Sequence, residues 1–197
     1  MPPRTFLRTA RLARPVRGGW RAWLGALLVA APTGLVGCAS SPPTLRDNKI
    51  NVYAVGERAS APVLRGERLD GTGTLDLTAH TGDVIVVNFW ASWCAPCRTE
   101  ADDLEQTYQA TRDDGVTFLG IDTNDQRDAA KAFVRGRFTY PSVFDPAGRL
   151  ALGFSVPPTA IPSTIIIDRQ GRIAAVVRRA IVRSELEPAV AALAAEP

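Results

Sequence analysis

Two cysteines three positions apart, Cys94 and Cys97, stand in the stretch NFWASWCAPCRTE between Asn88 and Glu100. Three chemistries are open to such a pair: a structural staple, half of a metal site, or a dithiol that cycles between thiol and disulfide. A bridge across so short a loop removes little chain entropy and therefore stabilises little. A zinc site needs two further ligands, and the chain offers a single histidine, His80, in the turn-like run AHTG, which reads as a surface residue. The spacing favours a working dithiol, with no metal and no cofactor.

What precedes and follows the pair sets its reactivity. The continuous apolar run DVIVVNFWA has the pattern of a central strand buried on both faces. From Ala95 to about Thr111 the pattern is helical, with Leu104 and Tyr108 on one face and acids at Glu100, Asp102 and Asp103 in the first turns. Cys94 then falls at a helix N-terminus, where the backbone dipole and free N–H groups stabilise a thiolate. Pro96 lies in the first turn, where a missing N–H does no harm. Cys94 is expected to be the exposed nucleophile and Cys97, one turn inward, the resolving thiol. Phe89 and Trp90 are assigned to the core.

The elements that must hold this strand and helix are also legible. PVLRGERLDGTGTLDL alternates around Asp70-Gly71 and Gly73 as a β-hairpin does. GVTFLGID reads as a second buried strand and QRDAAKAFVRGRF as a second helix. After YPSVFD and the turn DPAG, STIIIDRQGRIAAVV reads as two strands about an Asp-Arg-Gln-Gly turn. The chain closes in RSELEPAVAALAA, a helix with Ser184 and Glu187 at capping-box spacing. This order predicts an α/β fold with a central mixed β-sheet flanked by helices.

The first 37 residues differ in kind. They carry six arginines and no acid, then an apolar stretch of small residues interrupted by Pro32 and Gly34, the layout of a secretory signal. It is short and broken for a membrane span. Six of the 23 basic residues lie there, which leaves 17 against 20 acids in the remainder, a net of −3. The overall charge of +3 therefore gives no support to a nucleic-acid partner. The stretch ends on Leu35-Val36-Gly37-Cys38, which resembles a bacterial lipobox, so Cys38 is expected to be lipidated and to anchor the chain in a membrane. Acylation of Cys38 leaves Cys94 and Cys97 as the only thiols. The expected organisation is a signal peptide over 1–37, a Ser/Pro-rich linker over 38–56, and one domain over 57–197 whose fold begins near Ala59.

The run VVNFWASWCAPCRTE, with Trp93-Cys94-Ala95-Pro96-Cys97 at a strand-to-helix junction, resembles the TlpA/ResA family of membrane-tethered thiol-disulfide oxidoreductases. A second marker is Ile161-Pro162-Ser163-Thr164 before the strand IIID, which matches that family's cis-proline segment facing the active site. The resemblance runs from about Val55 to the C-terminal helix. It implies a thioredoxin-like fold with an inserted helix and strand between Gln126 and about Phe144, and a cis bond before Pro162. It also implies extracytoplasmic protein substrates with disulfides, such as apocytochromes c, and a membrane thiol electron donor. Asn88 matches the position of a buried aspartate in thioredoxins, and an amide there cannot exchange protons. The family's active-site glutamate falls on Glu100, which shares a helical face with Cys97. Two roles are open to Glu100: a partly desolvated proton carrier for Cys97, or a solvated first-turn acid favoured by the helix dipole. Trp93 and Ile161 would flank the sulfur and hold a substrate chain in an extended pose.

Rival functions remain at this level. A disulfide-forming oxidase on the same fold would differ in potential, which Ala95-Pro96 does not settle. A thiol peroxidase needs a Thr-x-x-Cys setting that ASWCAPC lacks. A non-catalytic copper carrier would use a histidine downstream of the cysteines, whereas His80 lies upstream.

Overall fold

The computed structural model describes residues 50–197 apart from Pro158. The signal and lipobox segments, Cys38 included, lie outside the described residues.

A short antiparallel hairpin, β1 (Arg65–Glu67) and β2 (Thr74–Asp76), precedes the main sheet. Gly71 and Gly73 supply the positive φ values, 85° and 128°, that its turn requires. Then follow β3 (Val84–Trp90), α1 (Ala95–Thr111), β4 (Val116–Thr123), α2 (Arg127–Val134), β5 (Ser142–Asp145), α3 (Arg149–Gly153), β6 (Ser163–Ile167), β7 (Ile173–Val177) and α4 (Arg183–Ala194). The five-stranded sheet has the order β5-β4-β3-β6-β7. β3 is parallel to β4 and antiparallel to β6, so the sheet is mixed. This is the thioredoxin-like arrangement that the resemblance implies, with α2 and β5 as the inserted segment.

β3 is central and buried along its whole length, because α1 and α4 cover one face of the sheet and the hairpin with α3 covers the other. Val86, Leu104, Phe118, Ile166, Leu186 and Val190 fill the first layer. Leu64, Val87, Phe89, Leu119, Ile121 and Ile165 fill the second. The uninterrupted apolar run is thus a consequence of two covered faces.

Three expectations need correction. The linker assigned to 38–56 is part of the fold from Ile50 onward: Ile50 is buried, Val52 bridges Ala175 of β7, and Tyr53 N–H donates to Ala174. A single bridge along an edge strand leaves no periodic trace in the sequence. The capping box at Ser184 and Glu187 does not form, since α4 begins two residues earlier than that cap would place it, with Val182 as N-cap and no cap from its own segment. Instead Asp103 of α1 accepts the Arg183 N–H at 3.0 Å, and Glu187 pairs with Arg183. Third, α3 was not anticipated. It is a single turn whose first N–H groups are capped by the Asp145 carboxylate, at 2.9 Å from Arg149 N and 3.0 Å from Leu150 N.

Candidate active site

The sheet brings the C-terminal end of β3 to the start of α1, and the two cysteines meet there. Cys94 is the N-cap of α1 and Pro96 occupies its first turn. Cys94 and Cys97 are joined in a disulfide, and the Cys97 N–H donates to Cys94 Sγ at 3.2 Å. That N–H is one of the donors a helix N-terminus leaves without an intrahelical partner, and in the reduced protein it faces the sulfur whose thiolate it favours. Cys94 is only 4% exposed in this oxidised state. The expectation of an exposed nucleophile is corrected: the side chain turns back over the helix end to meet Cys97, and the exposed neighbour is Trp93, at 59%.

Around the sulfurs, Ile161 packs against the cluster that contains both cysteines, Trp90 and Phe133. The Ile161-Pro162 bond is cis, and Pro162 is buried. The loop approaching it includes Pro158, which lies outside the described residues. The Trp93 indole N–H donates to the Asn124 carbonyl at 3.0 Å, which fixes the ring beside the pair. Phe89 and Trp90 are core residues as expected.

Beneath Cys97, one helical turn along, Glu100 is 1% exposed. Its Oε1 accepts the Asn88 amide at 2.8 Å, and its Oε2 accepts the Ile181 N–H at 2.9 Å. Burial pushes its carboxyl up to about 7, partly opposed by those two hydrogen bonds and reinforced by Asp103. The solvated first-turn acid is therefore excluded, and Glu100 is poised to gain and lose a proton near neutral pH.

Asn88 belongs to a polar row that sequence inspection missed. Ser142, Gly120, Asn88 and Thr164 lie in register across β5, β4, β3 and β6. Asn88 Nδ2 also donates to Thr164 Oγ1 at 3.1 Å, while Asn88 Oδ1 has no partner among the described residues. In the sequence Thr164 is marked only by its place after the cis-proline segment, and no local pattern marks Ser142. Gly120 is the one position in this row without room for a side chain: a Cβ would lie 2.3 Å from Ser142 Oγ and 2.7 Å from Trp90 Nε1. Gly120→Ala is expected to cost about 1–3 kcal/mol through overpacking, measured by urea unfolding. An unchanged midpoint would mean that the layer yields.

His80 stands before β3 and the cysteines after it, so the length of the strand separates them. His80 Nδ1 is 3.7 Å from Asp83, and among the described residues no three His, Cys, Asp or Glu side chains group as metal ligands.

Comparison with known proteins adds four likenesses. The family model described as AhpC/TSA matches residues 55–176. The thiol:disulfide interchange protein HelX of Rhodobacter capsulatus is 31% identical over 142 residues, which cover 68% of this chain and 77% of HelX. The thiol-disulfide oxidoreductase ResA of Geobacillus kaustophilus is 25% identical over 112 residues, 56% of this chain and 63% of ResA, so the chain spans under two thirds of that relative. Among solved structures, a secreted thiol-disulfide isomerase from Corynebacterium glutamicum matches with a TM-score of 0.71 at 33% identity, covering 77% of this chain and 95% of that one.

Proposed function

The chain belongs to the AhpC/TSA family, and on that premise we propose that it is an extracytoplasmic thiol-disulfide oxidoreductase that reduces disulfides in exported proteins. The observation that carries this reading is the Cys94–Cys97 bridge at the α1 N-terminus with buried Glu100 one turn below. HelX and ResA, by their names, exchange thiols and disulfides, which supports the chemistry. The secreted Corynebacterium relative supports the compartment.

In the reduced protein, the Cys94 thiolate attacks one sulfur of a substrate disulfide. That S–S bond breaks, the departing substrate thiolate takes up a proton, and a mixed disulfide with Cys94 forms. Cys97 gives its proton to Glu100 and attacks the Cys94 sulfur, which closes the Cys94–Cys97 bridge and expels the second substrate sulfur as a thiolate that takes up a proton. Two electrons have then passed to substrate, and the oxidised state described above is the product. When Glu100 carries the proton, a half-turn of the Asn88 amide presents Oδ1 to it as an acceptor.

A membrane thiol donor returns the pair to the dithiol, and apocytochrome c cysteines are a substrate suited to this chemistry. Cys38, acylated, would tether the domain. No described helix is long and apolar enough to cross a membrane. Ala91 stands where a thiol peroxidase of the Thr-x-x-Cys type needs its threonine, and it is buried, which disfavours peroxide chemistry at Cys94.

The deciding measurement is the reduction potential of the couple, by thiol gel shift across dithiothreitol and glutathione buffers. A value near −270 mV is expected for a reductase; one approaching about −120 mV would make the protein a disulfide donor and reverse each step.

A further inference from the structure

The loop that carries the nucleophile is held from outside by the segment following β4. Asp125, almost fully buried, accepts the Ser92 N–H and its neighbouring Gln126 N–H through its two carboxylate oxygens. Asn124, with φ 53°, turns its carbonyl to the Trp93 indole. Two consecutive residues before Cys94 are thus gripped by two consecutive residues 31 and 33 positions further along the chain. On the solvent side, Arg98 Nη1 reaches the Ser92 carbonyl at 3.3 Å. The disulfide chemistry itself uses none of these contacts.

Next to Asp125 lies Asp122, fully buried, with the Asp125 carboxylate as its hydrogen-bonding neighbour and no donor from the other described residues on its carboxylate oxygens. The charged groups bearing on it are Asp125 on the same connection, Arg127 of α2 and Asp145 of β5. Arg127 is engaged by Glu67 at 2.7 Å and lies over the Phe144 ring, and the Asp145 carboxylate is occupied by the N-terminus of α3. Burial first, then Asp125, push the Asp122 carboxyl up to about 8. Burial and the neighbouring Asp125 carboxylate thus favour the protonated form of Asp122.

We propose that Asp125 is a positioning residue for the redox couple, fixing the loop ahead of Cys94 and biasing the Cys94–Cys97 pair toward the disulfide by its charge, so that the dithiol is the better reductant. The physical reason is a competition. The α1 N-terminus stabilises the Cys94 thiolate, and a dithiol stabilised in that way is a stronger oxidant. A carboxylate bonded to the same short loop opposes the thiolate and so favours the disulfide, which makes the reduced pair the better electron donor. The inference rests on Cys94 being the nucleophile, as proposed above.

The test compares the glutathione equilibrium of the full-length chain at pH 7 in wild type, Asp125→Asn, Asp125→Glu and Asp122→Asn, together with the pH dependence of Cys94 alkylation by iodoacetamide. Asp125→Asn keeps an acceptor for Ser92 N–H and removes the charge. It is expected to move the equilibrium about tenfold toward the dithiol, about 30 mV, and to lower the pH at which Cys94 becomes reactive. Asp125→Glu should recover most of that shift, and Asp122→Asn should leave the equilibrium within about twofold of wild type. The proposal is overturned if Asp125→Asn also stays within about twofold, or if Asp122→Asn shifts as far as Asp125→Asn does. A wild-type potential at the oxidising end would overturn the reductase function alone, because the difference between variants is read independently of where the wild type lies.

Discussion

Replacing Cys97 with serine is expected to turn the protein into a trap. The Cys94 thiolate keeps its place at the α1 N-terminus, facing the N–H of residue 97, and still opens a substrate disulfide. No second thiol remains to attack the Cys94 sulfur, so the mixed disulfide accumulates and turnover is abolished. A non-reducing gel of membranes from cells expressing Cys97→Ser should show adducts that collapse on adding dithiothreitol. Cys94→Ser should give neither turnover nor adduct, because Cys97 lies one turn further into α1 and lacks the N-cap position at the helix end. A folded Cys97→Ser protein that captures nothing, or adducts that form through Cys97 in Cys94→Ser, would overturn the assigned roles.

Glu100→Gln is the second large effect, and it separates proton transfer from packing. With its carboxyl near 7, Glu100 accepts the Cys97 proton increasingly well as pH rises through neutrality, so the resolution step should accelerate to a plateau above about pH 7. The glutamine variant should lose that inflection and slow resolution by about 10²-fold, the lower end of what a positioned acid–base group contributes. Stopped-flow resolution of a preformed mixed disulfide across pH 5–9 reads both quantities. An unchanged inflection would leave Glu100 a structural residue. Stability moves the opposite way. The folded value lies above the ordinary 4.5, so the stabilising contribution is fully present below about pH 4.5 and is lost as pH rises through 7, on the order of 3 kcal/mol. Asp122 acts in the same direction, so the Glu100 share is the difference between wild type and Glu100→Gln. The variant's urea midpoint should therefore fall less steeply between pH 5 and 8, provided the Asn88 amide turns to meet the new side chain.

Most of the framework was legible because its causes are local. The hairpin is written in Asp70-Gly71 and Gly73, the central strand in an apolar run too long for a one-faced sheet, and α1 in the spacing of Leu104 and Tyr108. Elements whose causes are remote were missed or misplaced. α3 exists because Asp145 caps it within a single turn, too short for any period to show. The start of α4 is set by Asp103, 80 residues away, where Ser184 and Glu187 suggested a local cap. Ile50 and Val52 joined the fold by lying along β7, and the Pro-rich sequence before them gave no hint of it.

The same division runs through the site. Sequence alone determined that Cys94 and Cys97 do thiol chemistry, because their spacing, the strand-to-helix junction and the helix dipole all act within a few residues. That Glu100 is a buried acid and not a solvated one was decided by tertiary structure. Its environment is made by Asn88 on β3 and by the Ile181 N–H ahead of α4, 81 residues further along. Only the fold reveals that Asp125 grips the nucleophile loop. Desolvation and charge proximity depend on what packs against a group, and for these carboxylates the packing partners come from distant parts of the chain.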